Sequence, residues 1–146
     1  MKGLLVAIAL AAGACGIVVG YQPQSAECFL SGPETTPAYG VLVLRKAVVK
    51  SELADLSGRL THEHPSLHAK RFELRAIGVE MDKMRAIEKS RVSKLSTTFG
   101  ALVLSKVVLE VELNDLLIRL TPQHPEVTKK RLELAALERE IDNVLR

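Results

Sequence analysis

The chain repeats itself, and the repeat restricts its fold more than any other feature. A shift of 60 residues lays Tyr39 on Phe99 and Met84 on Val144 without a gap. Identical pairs include Gly40/Gly100, Leu42/Leu102, Lys46/Lys106, Glu52/Glu112, Leu53/Leu113, Asp55/Asp115, Leu56/Leu116, Arg59/Arg119 and Leu60/Leu120. They continue through Thr61/Thr121, His64/His124, Pro65/Pro125, Lys70/Lys130, Arg71/Arg131, Glu73/Glu133 and Leu74/Leu134. Self-similarity at one fixed spacing is the signature of a duplicated supersecondary unit.

Within each copy the apolar residues recur at alternating steps of three and four, the pattern of a helix packed along another helix. The first arm reads Tyr39, Leu42, Lys46, Val49, Leu53, Leu56, Leu60, and its counterpart Phe99, Leu102, Lys106, Leu109, Leu113, Leu116, Leu120. The second arm reads Leu67, Lys70, Leu74, Ile77, Met81, Met84, then Val127, Lys130, Leu134, Leu137, Ile141, Val144. The spacing predicts four α-helices, each roughly 22 residues and so about 33 Å long. Aromatic content of 3%, with no Trp, leaves aliphatic side chains to fill the core. That suits helix-on-helix packing, and argues against an aromatic-lined ligand pocket and against base-stacking nucleic-acid modules.

Between the arms of each copy lies Leu-Thr-x-x-His-Pro, at Leu60–Pro65 and again at Leu120–Pro125. Proline fits the first turn of a helix and disfavours helix in the residue before it. Pro65 and Pro125 should therefore open the second arms, with Thr61, His64, Thr121 and His124 in the bends and each histidine outside the helix or at its cap. Folding back is what buries both apolar stripes. The predicted fold is all-α: two tandem antiparallel helical hairpins, as a four-helix bundle or an extended coiled coil. Ser96-Thr97-Thr98 favours a cap and turn between the copies. The alternative is one continuous helix over about 65–120. Lysines 46, 70, 106 and 130 sit on the seams, where a long stem packs while its amine reaches solvent or a carboxylate.

The N-terminus reads as an export signal or an anchor. After Lys2, residues 4–19 are apolar and uncharged. That length lies between the core of a signal peptide and a spanning helix. No Lys or Arg follows until Arg45, which predicts an N-in, C-out orientation. Residues 1–21 are thus a signal peptide or membrane anchor: retained, cleaved after Ala14 or Ala26, or lipidated at Cys15. Each outcome puts the helices on the periplasmic side of a bacterial envelope. Residues 22–38, with Pro23, Gly32, Pro33 and Pro37, form a flexible spacer. Hairpin one occupies 39–95 and hairpin two 96–146. Cys28 is the one cysteine beyond the apolar stretch, so it has no internal disulfide partner there.

The two hairpin bends carry a family likeness. Leu60-Thr-His-Glu-His-Pro-Ser-Leu67 and Leu120-Thr-Pro-Gln-His-Pro-Glu-Val127, each between heptad helices, resemble the periplasmic coiled-coil region of polysaccharide co-polymerases, the chain-length determinant proteins. The resemblance covers the two repeats and implies a link to envelope polysaccharide assembly. Leu-Thr at 60–61 and 120–121 also resembles the Leu-Thr-x-x-Gln signature of small periplasmic helical proteins of the metal-stress and chaperone type. Here His64 and His124 stand at the last position.

Two surface features bear on partners. Leu117 and Ile118 replace Ser57 and Gly58, so the face Leu113, Leu116, Leu117, Ile118, Leu120 is apolar over a wider arc. Such width suggests burial by the other hairpin or by another subunit. A homo-oligomer or another envelope protein is the expected partner. His62, His64 and His68 cluster at the first bend, with His64 and His68 spaced i, i+4 as a metal pair would be. The basic residues Arg85, Lys89, Arg91 and Lys94 form a solvated face, or a contact for acidic lipid or polysaccharide. No catalytic triad, phosphate loop or CxxC pair occurs, so the sequence points to a non-enzymatic chain with no cofactor and no nucleic acid.

Overall fold

A computed structural model describes residues 32–146. The expected signal or anchor over 1–21, with Cys15, and the first part of the spacer, with Cys28, lie outside the described residues. The described chain is helical: α1 (Pro37–Arg59), α2 (Pro65–Arg85), α3 (Thr97–Arg119) and α4 (Pro125–Leu145). Short 3-10 turns span Pro33–Thr35 and Lys89–Lys94. Among the described residues no helix is long and apolar enough to cross a membrane.

The helix ends match between copies and sit where the sequence places its stops and caps, except that α1 starts at Pro37, inside the expected spacer, with Ala38 buried. The side chain of Thr36 accepts from the Tyr39 N–H, and that of Ser96 from the Phe99 N–H. Each satisfies one of the orphan donors of a helix start. Leu60 and Leu120 end the first arms in extended backbone. His64 and His124, likewise at ψ of 134° and 138°, precede Pro65 and Pro125. Their Nδ1 atoms accept from the N–H groups of Ser66 and Glu126 at 3.2 and 3.3 Å. Thus the two histidines are helix caps.

A continuous helix over 65–120 does not form. The chain leaves α2 at Ala86 and enters α3 at the Ser96 cap. Leu95 is buried between them, and its carbonyl accepts from the Ala38 N–H at 3.2 Å. This tie fixes the start of α3 beside the start of α1.

Helix α2 runs back along α1. Arg45 meets Glu73, while Glu52, later in α1, meets Lys70, earlier in α2, at 2.5 Å. Helix α4 packs on α3, with Lys130 2.8 Å from Glu112, the counterpart of the Lys70–Glu52 pair. Helix α3 also lies against both α1 and α2, so three helices share one core. That core joins Ala38, Leu42 and Val49 of α1, Ile77, Met81 and Met84 of α2, and Phe99, Val103 and Val107 of α3. Helix α4 is covered far less: Val127 is its one buried residue among those described.

Two features depart from the seam reading. Helix α3 buries a second stripe, Gly100, Val103 and Val107, beside its seam. This stripe enters the shared core, with Gly100 facing α1. A Cβ on Gly100 would lie 2.9 Å from the Ala38 backbone, so glycine permits the approach. Secondly, Glu73 and Glu80 are buried on α2. Buried carboxylates require partners, and both have them.

Candidate interaction surface

Glu80 and Lys106 form the most protected ion pair. Their relative exposures are 7% and 6%, and Lys106 Nζ donates to Glu80 Oε1 at 2.8 Å. Lys83 donates to the same oxygen at 2.7 Å. Glu110 and Glu138 lie 3.4 and 3.5 Å from Lys106. One amine thereby ties together α2, α3 and α4. Burial acts against the charge on Lys106, but the hydrogen bond and charge of Glu80 outweigh it, so its pKa is raised. Burial likewise opposes ionisation of Glu80, yet Lys106 and Lys83 hold its pKa below the ordinary value.

The seam lysines differ in what they do. Lys70 meets Glu52 and Glu73, and Lys130 meets Glu112 and Glu133. Lys46, the counterpart of Lys106, forms no ion pair among the described residues. The sequence singles out Lys106 but not Glu80. The available signal was that Glu80 and Glu140 are identical across the repeat, at a position off the seam.

The expected face on α3 is divided by the packing. Leu113, Leu116 and Leu120 are half-buried, while Leu117 is 38% and Ile118 72% exposed. Helices α1 and α2 therefore do not cover that widened arc. Leu113 and Leu117 line one side of a groove of about 540 Å³, with Phe72, Ala76 and Val79 of α2 opposite. Ile118 borders a smaller hollow of about 250 Å³ with Pro65, His68 and Ala69. Further exposed aliphatics are Val43, Leu44 and Val48 on α1 and Leu132 on α4.

The histidine cluster does not assemble into a metal site. His64 Nδ1 is engaged in capping α2. The His62 ring lies against the Arg71 guanidinium, with Nε2 at 3.0 Å from Nη2. A cation beside that ring disfavours a bound metal ion. His68 lines the hollow beside Ile118. Among the described residues no group of three His, Cys, Asp or Glu side chains is arranged to hold a metal.

The basic run is partly occupied as well. Arg85 donates to Glu34 at 2.6 Å, to Asp82 at 2.7 Å and to the Tyr39 hydroxyl at 2.5 Å, and lies over the Tyr39 ring. Comparison with protein-family models, curated proteins and solved structures finds no match for this chain. The reading of its surface therefore rests on its own residues.

Proposed function

We propose that this chain is a non-enzymatic helical scaffold of the bacterial envelope. In this reading it is two tandem copies of one antiparallel hairpin. Residues 4–19 carry it to the periplasmic side, where it associates with further copies or with another envelope protein. The observation that carries the reading is the aliphatic surface left open on a helical body, above all Leu117 and Ile118 beside the α2–α3 groove. Contiguous exposed apolar surface of this kind marks interaction sites. The likeness of the bends to polysaccharide co-polymerases gives the scaffold a setting in polysaccharide assembly.

Sedimentation of the full chain in neutral detergent tests the reading. The wild type should show concentration-dependent oligomers. The same monomer for wild type and for Leu117→Lys/Ile118→Lys, with no envelope protein recovered by in-cell crosslinking, would overturn it. The metal-sensor alternative has less support, because His64 and His62 are engaged elsewhere. Micromolar zinc, copper or nickel binding in calorimetry, lost on His68→Ala, would restore it.

A further inference from the structure

The two copies carry the same faces, yet the fold covers them differently. On α3, Gly100, Val103 and Val107 are buried in the shared core, with Gly100 against Ala38 of α1. Their counterparts on α1 are Gly40, Val43 and Ala47, and all three are exposed. Gly40 and Val43 are identical to Gly100 and Val103. A Cβ on Gly40 would meet nothing within 4 Å. So α1 presents, open to solvent, the docking face by which α3 joins the hairpin before it.

The receiving side shows the same inequality. Hairpin one accepts α3 on Ala38, Leu42, Ile77, Glu80 and Met84, all buried. The corresponding residues of hairpin two are Thr98, Leu102, Leu137, Glu140 and Val144. Thr98, Glu140 and Val144 are exposed, and Leu102 and Leu137 are half-covered. One end of the molecule thus carries an unused docking face, and the other an unused receiving face.

Charge completes the match. The internal joint is held by Glu80 and Lys106. Their counterparts are Glu140 and Lys46, and neither forms an ion pair among the described residues. Each has also lost its neighbour on its own helix. Glu110, next to Lys106, is Lys50 beside Lys46, and Lys83, next to Glu80, is Asn143 beside Glu140. A basic docking face and an acidic receiving face therefore remain, each short of a counter-charge.

We infer that copies of this chain associate head to tail, the α1 face of one docking on the α3–α4 face of the next. Lys46 of one copy then pairs with Glu140 of its neighbour. The contact repeats the internal joint, as in stacked repeat proteins. It is heterologous, so it builds a ring or an open filament rather than a two-fold dimer. This inference deepens the self-association branch of the scaffold reading and rests on it.

Charge reversal in the full chain, followed by sedimentation velocity in neutral detergent, tests the contact. Lys46→Glu and Glu140→Lys should each weaken association by at least about tenfold, as like charges then face each other. Mixing the two variants, or combining both changes in one chain, should restore assembly. Helicity by circular dichroism should stay at the wild-type level, because both sites are outside the core. Wild-type assembly by each single variant would overturn the inference, and so would a mixture that stays monomeric. If Leu117→Lys/Ile118→Lys abolishes oligomers while the charge variants keep them, the scaffold reading survives and the head-to-tail contact falls. A wild-type chain that is monomeric at every concentration removes the contact, leaving the scaffold reading only its other-protein branch.

Discussion

Replacing Lys106 by methionine should destabilise the fold sharply, whereas the same change at Lys46 should not. Lys106→Met keeps most of the stem volume but removes the amine, leaving Glu80 at 7% exposure. Breaking one side of a buried pair costs about 3–5 kcal/mol when the remaining charge has no other partner. Here Lys83 still reaches Glu80 Oε1 at 2.7 Å, through an amine that is largely in solvent. An exposed partner offsets up to about 1 kcal/mol. The expected loss is therefore about 2–4 kcal/mol. At roughly 4 °C per kcal/mol for a body of this size, Tm should fall by about 8–16 °C. Thermal unfolding followed by far-UV circular dichroism measures it, and urea titration checks that the transition stays two-state. Lys46→Met should change stability by less than about 0.5 kcal/mol, because the half-buried Lys46 amine has no ion pair among the described residues to lose. Adding Glu80→Gln to Lys106→Met should recover most of the loss, because no buried charge is then stranded. A loss below about 0.5 kcal/mol for Lys106→Met would refute the reasoning, as would equal losses at 46 and 106.

The duplicated glycines should respond in opposite directions. Gly100→Ala places a methyl 2.9 Å from the Ala38 backbone and should cost about 1–3 kcal/mol, whereas Gly40→Ala should add up to about 1 kcal/mol of helix stability, both read from urea midpoints. Gly40→Ala should at the same time weaken head-to-tail assembly in sedimentation, since it fills the docking face. His64→Ala and His124→Ala each remove a side-chain cap and should each cost about 0.5–1 kcal/mol in the same titration. Stability should fall in acid and again in strong alkali. Glu80 and Glu52 titrate below their ordinary value of 4.5 in the folded chain, so their contribution is fully present above that pH and is lost below it, as pH falls through the lowered folded values. Lys106 titrates above its ordinary value of 10.5, so its contribution is complete below that pH and disappears in stronger alkali. Urea midpoints across pH would show an acid-side loss that Glu80→Gln reduces.

Local order was legible in the residues alone. Heptad steps gave four helices, and Ser96 and the His-Pro steps set the starts of three of them. Those rules act within a few residues of the chain, where capping groups and proline sterics decide the outcome. The ion pairs within each copy, Lys70–Glu52 and Lys130–Glu112, were foreshadowed by lysines on the seam.

Which copy covers which was not legible, because the sequence writes nearly the same face twice. Gly40 and Gly100 are the same residue, as are Lys46 and Lys106, and Glu80 and Glu140. Local rules give both members of each pair the same helix and the same side. Only the packing of α3 onto α1 and α2 buries Gly100, Lys106 and Glu80 while leaving Gly40 and Glu140 in solvent. The physical reason is that one packing joint, α3 on α1 and α2, uses one member of each duplicated pair. The duplication determined the shape of the contact surface, and the tertiary structure decided which half of it stayed free.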